Sequence, residues 1–260
     1  LMTTIYAAVL GALYAAVSRK SALLVLCLTV TLFKPQIGLP LTLFFLSING
    51  TRAPAGLACC ATAVLGLAGL LSGGLIQSAL DFLADVASYG DYEENFPKHV
   101  SGVGHIIYRL FGAHVSEFFW LAPTLLLSGL IGRSVQSIAE TSDTMGDDTV
   151  FLYAVFLVIA SAMFFLPSHN NYTVLAIPFV VLAVKAPPYL SASILFALVL
   201  HARAHPLGEA LADHVGYRAA NTATIDTIAS TILFGATLAL ALKKGLASAI
   251  IPKTKKLIAA

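Results

Sequence analysis

Leu32-Phe33-Lys34-Pro35-Gln36-Ile37-Gly38-Leu39-Pro40 lies between two apolar runs, residues 21–33 and 37–48. A lysine in that setting is far from any polar loop, and charge at membrane depth costs several kcal/mol unless it is paired or hydrated. Pro35 removes a backbone donor, and the residue ahead of a proline is disfavoured from continuing as plain helix. The stretch therefore predicts a chain break that presents one cation, Lys34, and one amide, Gln36. Two readings follow from residue type alone. One is a proline kink whose lysine snorkels to water; the other is a fixed cation for a lipid-linked phosphate.

The rest of the chain is hydrophobic enough to decide its class. Of 260 residues 58% are hydrophobic and 11% charged, and the mean hydropathy is +0.87. Those values predict an all-α, polytopic transmembrane bundle. The runs are apolar on all sides and lack the alternation of a membrane barrel, so helices must satisfy the backbone inside lipid. A net charge of +2 says nothing about nucleic acid, and no nucleic acid partner is expected. The three cysteines, Cys27, Cys59 and Cys60, lie inside apolar runs without metal spacing and read as packing residues, so neither a metal nor another cofactor is expected. No basic region precedes the first run, so it is not read as a signal peptide. The chain opens mid-hydrophobic on Leu1, as though cut from something longer, with 1–260 forming a single transmembrane domain.

Apolar segments are expected at 2–17, 21–48 (interrupted at Lys34-Pro35), 54–76, 117–131, 149–166, 172–184, 189–200 and 227–242. Each arm of the interrupted segment is about a dozen residues, or roughly 20 Å of helix, short of a bilayer core of roughly 30 Å. It is either one kinked span or a re-entrant pair meeting at a tip. Residues 77–115 form a long polar insert. An amphipathic interfacial helix is expected over 77–87, with Asp81 and Asp85 four apart, and a second short one over 104–111.

Charge then sets orientation. With Arg19, Lys20, Arg52, Arg133, Lys185 and the five tail lysines in the cytoplasm, ten of fifteen basic residues lie inside. The alternation of spans permits this only if 21–48 enters and returns, which puts Lys34 at the tip nearest the outer face. The insert 77–115 and the loops 167–172 and 201–226 are then extracytoplasmic. All seven histidines (His99, His105, His114, His169, His201, His205 and His214) fall on those outer segments, which marks the outer face as the working face.

Pro167-Ser168-His169-Asn170-Asn171-Tyr172 joins two spans with little spare chain, so its side chains stay close to the membrane surface. His169 can donate, accept or carry a proton near neutral pH, and the amides beside it suit sugar hydroxyls or phosphate oxygens. A solvated turn is the alternative. Asp81, Asp85, Asp91, Glu93 and Glu94 are outer carboxylates, any of which could act as a base if burial raised its pKa, against the plainer reading of a solvated acidic loop. Arg203, His205 and Arg218 make a basic outer loop suited to lipid head groups or interfacial anchoring. No Gly-rich phosphate loop or nucleophile elbow is present.

Phe33-Lys34-Pro35-Gln36-Ile37-Gly38 resembles the Lys-Pro-Gln segment of glycosyltransferase family 87, polytopic mannosyltransferase-like enzymes of the GT-C superfold. The insert beginning near Ser88-Tyr89 and the step Leu166-Pro167-Ser168-His169-Asn170-Asn171-Tyr172 resemble that family's outer loop and its Ser-Pro/His-containing segment. The resemblance implies a polyprenyl-phosphate sugar as donor, a lipid or glycan acceptor, and transfer of a mannose-like hexose on the extracytoplasmic side of a bacterial inner membrane. By the same resemblance Lys34 and Gln36 hold the donor phosphate, His169 takes part in catalysis, and Asn170, Asn171 and Tyr172 line the sugar pocket. Asp91, Arg203 and His205 become outer-face contacts. The family's catalytic carboxylate is expected in a first outer loop that would precede residue 1, and Thr173 stands where members often carry an acid. The rival expectations are a transporter or flippase for a lipid-linked or anionic solute, which can also use a broken helix with a charged tip, and a non-catalytic membrane scaffold.

Overall fold

The computed structural model describes residues 2–18, 20–32, 34–49, 74, 76–77, 80–81, 84, 100–113, 115, 117–141, 148–166, 176, 178–216 and 221–243. These form an all-α fold. In chain order the helices are α1 (Met2–Val17), α2 (Ser21–Thr31), α3 (Pro35–Asn49), α4 (Val103–Phe111), α5 (Glu117–Thr141), α6 (Asp148–Phe165), α7 (Phe179–Lys185), α8 (Pro188–Ala202), α9 (Ala204–Val215) and α10 (Thr222–Lys243).

The expected break at Lys34 is present, and its chemistry is local. The Lys34 N–H donates to the Thr31 carbonyl at 3.0 Å, while its own carbonyl accepts from Ile37 N and Gly38 N, each at 2.9 Å. Lys34 thus stands immediately before α3, and Pro35 follows at the first helical position, where a missing N–H costs nothing. A Cβ on Gly38 would fall onto the Thr31 carbonyl and lie 2.7 Å from the Leu32 Cα. Only glycine lets the two helices meet this closely. Pro40 lies inside α3 and has no N–H to give to the carbonyl of Gln36, one turn back.

From that corner the packing runs through the molecule in a chain. α1 pairs with α2, α3 with α5 and α6, and α6 with α10. α10 in turn receives α8, α9 and α4. The core is continuous, with Phe44, Phe45, Phe156 and Phe179 among its largest fully buried side chains. Phe44 and Phe45 meet edge-on at 5.2 Å, and both reach Phe151. At the other end of α6, Phe164 stacks on Phe234 at 5.1 Å and Trp120 stacks on Phe165 at 6.4 Å. Such pairs add about 0.5–1.5 kcal/mol each to their area burial.

α10 is the hub because its inward face is built from small residues. Ala223, Ala229, Ser230, Ala236 and Thr237 are buried there, and side chains of that size admit neighbouring backbones closely. The cost is polar oxygen in an apolar seam. Helical threonines settle it by bonding back one turn, as Thr227 does to the Ala223 carbonyl and Thr237 to the Leu233 carbonyl, both at 2.6 Å.

The expected segments recur with shifted ends. 117–131 lengthens to α5, 149–166 is α6, 189–200 is α8, and 227–242 extends back to begin α10 at Thr222. Of 172–184, residue 176 and α7 are described. Segment 54–76 and most of the insert fall outside the described residues, although 76, 77, 80, 81 and 84 are helical and Gln77 Nε2 donates to Asp81 Oδ1 at 2.7 Å. The short helix expected over 104–111 is α4. The largest difference is at 201–226, expected as an outer loop. Its centre is helix α9, bent 74° from α8, and its two ends are buried. Among the described residues α10 is long and apolar enough to cross a membrane, and the bent pair α8–α9 passes the same measure taken together.

Candidate functional site

The first turns of α10 concentrate the buried polar groups. Asn221 opens the helix, with Oδ1 accepting from Thr224 N at 3.2 Å, while Thr224 Oγ1 accepts from Asn221 N at 3.2 Å. This reciprocal arrangement is a capping box with threonine in the place usually taken by Glu or Gln. It fixes the direction of everything that follows on the helix.

Two buried histidines attach to this end. His105, on α4, is 2% exposed. Its Nε2 lies 3.1 Å from Thr224 Oγ1 and accepts from Arg109 Nε–H at 3.4 Å. The start of α4 is held to the same helix by Gly102, whose N–H donates to Thr227 Oγ1 at 3.0 Å. At φ +125° and with a Cβ that would come 3.1 Å from the carbonyls of Phe164 and Leu166, position 102 requires glycine.

The second histidine, His201, is in the last turn of α8. Its Nδ1 is 2.9 Å from Asp226 Oδ1, and the two side chains are 4% and 3% exposed. A carboxylate can only accept, so with Asp226 ionised and the imidazole neutral the ring hydrogen is on Nδ1 and Nε2 keeps its lone pair. Nε2 of His201 and Oδ2 of Asp226 are buried and have no hydrogen-bond partner among the described residues. Ser230 Oγ, one turn further along α10, is in the same condition. Three such atoms fall on one seam, whereas native proteins leave few buried polar atoms unsatisfied.

The structure also locates several of the sequence-predicted residues. Lys34 and Gln36 are half-buried at the α2–α3 corner. Arg203 and His205 are exposed at the α8–α9 bend, where His205 Nδ1 lies 3.3 Å from Glu209 Oε2. α3 packs chiefly on α5 and α6, whereas α9 packs on α10, so these two groups belong to different parts of the bundle. Asp91, His169, Asn170, Asn171 and Tyr172 lie outside the described residues. No family model matches the chain, and no curated protein or solved structure matches it either.

Asp226 and the pairing of His201 were missed by reading the sequence. The usable signal was the one that found Lys34, a single charge in an apolar run: Asp226 is the only acid in Thr222–Lys243. A third feature lies toward the C-terminal end of α10. A cavity of about 750 Å³ opens between Thr149, Tyr153, Lys185 and Pro187 on one side and Leu240 and Lys243 on the other.

Proposed function

We propose that this protein is an integral-membrane glycosyltransferase that moves a hexose from a polyprenyl-phosphate donor to a lipid or glycan acceptor at the extracytoplasmic face. The observation that carries the reading is Lys34, the only charged residue between Ser21 and Asn49, half-buried and immediately ahead of helix α3. A helix N-terminus favours an anion, and a cation at the same point adds a charge-assisted contact that strengthens away from bulk water. Gln36, in the first turn of α3, supplies an amide to the same phosphate or to its sugar. In this reading His169 takes part in catalysis, Asn170, Asn171 and Tyr172 line the sugar pocket, and Asp91, Arg203 and His205 meet substrate or lipid at the outer surface. The apolar bundle is its membrane domain, with α4 and the α8–α9 bend at the outer interface.

The reading is tested by binding of radiolabelled polyprenyl-phosphate mannose to the full chain in lipid nanodiscs. Lys34→Ala is expected to weaken binding by roughly 10-fold or more, the scale of a hydrogen bond to a charged group. Unchanged binding removes the phosphate role. A second reading, a proton-coupled transporter of a lipid-linked or anionic solute, is favoured by the buried His201–Asp226 pair, because ionisable groups inside membrane helices also serve as proton relays. Uptake into proteoliposomes without sugar transfer would select it.

A further inference from the structure

We propose that His201 and Asp226 form a proton-accepting dyad, in which Asp226 holds Nδ1–H and His201 Nε2 takes the proton of a substrate hydroxyl. Asp226 is thereby a positioning residue and His201 the group that meets substrate. The geometry has the required parts. The carboxylate is 2.9 Å from Nδ1, the opposite ring nitrogen has no partner among the described residues, and Ser230 Oγ offers a second polar atom on the same seam. Burial keeps bulk water from satisfying Nε2, yet His201 lies only two residues before exposed Arg203 at the 74° bend. The dyad is therefore near the end of the bundle.

Among the described residues the other ionisable groups on the surrounding helices are few. On α10 the next ionisable group after Asp226 is Lys243, and on α8 the one before His201 is Tyr189, both at the far ends of their helices. α6 offers Tyr153 in its second turn, remote from Phe164 and Phe165, and α7 ends on Lys185. On α9, His205, Glu209, Asp213 and His214 are exposed, as is Arg203 ahead of it. The nearby group is His105 with Arg109, held by α4 against Thr224 on the neighbouring part of the same turn.

That the hydroxyl belongs to a sugar acceptor rests on the glycosyl-transfer reading; the proton site itself does not. In the transfer step the acceptor oxygen bonds to the sugar's anomeric carbon as the bond from that carbon to the phosphate oxygen breaks. The lipid phosphate leaves with the electron pair, and the acceptor's proton passes to Nε2. The imidazolium so formed is stabilised by ionised Asp226 and gives up its proton once the product departs.

The test uses the full chain in nanodiscs with ¹⁵N-labelled histidine, the His201 resonances being assigned by their loss in His201→Asn. The expected result is a hydrogen on Nδ1 and a bare Nε2 at neutral pH. In Asp226→Ala, which removes the acceptor of Nδ1–H, that preference for Nδ1 is expected to be lost. A hydrogen on Nε2 of the wild-type ring at neutral pH, or a tautomer unchanged in Asp226→Ala, overturns the proposal. In parallel, transfer from radiolabelled polyprenyl-phosphate mannose to octyl mannoside is expected to fall about 100-fold in His201→Asn with donor binding unchanged. Full transfer in that variant overturns the role of the dyad in transfer and leaves the donor reading standing. The Nδ1–H tautomer in a wild-type protein that transfers nothing supports the proton site and removes glycosyl transfer instead.

Discussion

A carboxylate closed into an apolar seam is stable only with a partner, and Asp226 has its partner on another helix. Removing one member of such a pair leaves the other desolvated and unsatisfied, so the single substitutions overstate what the contact is worth. A double-mutant cycle separates the two effects. His201→Ala and Asp226→Ala are each expected to destabilise the folded protein, while the double variant is expected to be less damaged than their sum by about 1–3 kcal/mol. Reversible unfolding in mixed micelles measures this directly, and strict additivity would show that the 2.9 Å contact carries no coupling. Asn221 makes a second expectation at this scale. Its side chain and that of Thr224 satisfy one another's backbone N–H groups at the start of α10. Asn221→Ala should cost about 1 kcal/mol, whereas Asn221→Asp, which keeps the accepting oxygen, should cost much less. Equal losses in the two variants would show that the cap is not what holds the turn.

Between elements, the tightest constraint is the α2–α3 corner. The atoms a Cβ at position 38 would strike are the Thr31 backbone carbonyl and the Leu32 Cα, neither of which can rotate away. Gly38→Ala is therefore expected to destabilise by about 1–3 kcal/mol, the range of overpacking. Gly235→Ala provides the contrast, because its Cβ would meet nothing within 4 Å. There the higher helix propensity of alanine should be neutral or stabilising by up to about 1 kcal/mol. Thermal unfolding of the two variants checks both signs, and a harmless Gly38→Ala would mean that the corner opens freely. This corner was legible in sequence because its determinants are adjacent: Pro35 fixes the break and Lys34 supplies the charge. α1 was equally legible, a run of apolar residues bounded by Ser18 and Lys20. α9 was not. Its exposed His205, Glu209, Asp213 and His214 give it the polarity of a loop, and the features that dock it, buried Ala204 and Gly208, are too small to register as an apolar stripe. A Cβ on Gly208 would strike the backbone at Thr222, a contact between residues that no local pattern connects. The His201–Asp226 pair was hidden for the same reason, since its members are 25 positions apart and meet only when α9 folds back between them.

At the level of the whole molecule, α10 fixes the axis. Its 22 residues extend about 33 Å, matched to a hydrocarbon core of roughly 30 Å. One end carries the capping box, both buried histidines and the bend into α9; toward the other, Lys185 and Lys243 flank the cavity. On the proposed reading, the charge bias predicts the lysine end in the cytoplasm and the histidine end outside. Two exposed positions mark the ends: Asp213 on α9, which docks beside Thr222 through Gly208, and Lys243 at the close of α10. With Cys27, Cys59 and Cys60 replaced by alanine, Asp213→Cys is expected to react with a membrane-impermeant maleimide in intact cells. Lys243→Cys should react only after the membrane is opened. Protection of both positions, or labelling of both from outside, would contradict a spanning α10, and the inverse pattern would put the histidine end in the cytoplasm. That last outcome would remove the extracytoplasmic site of transfer while leaving the His201–Asp226 geometry intact, because the bond depends on how α8 meets α10 and not on which way the bundle faces.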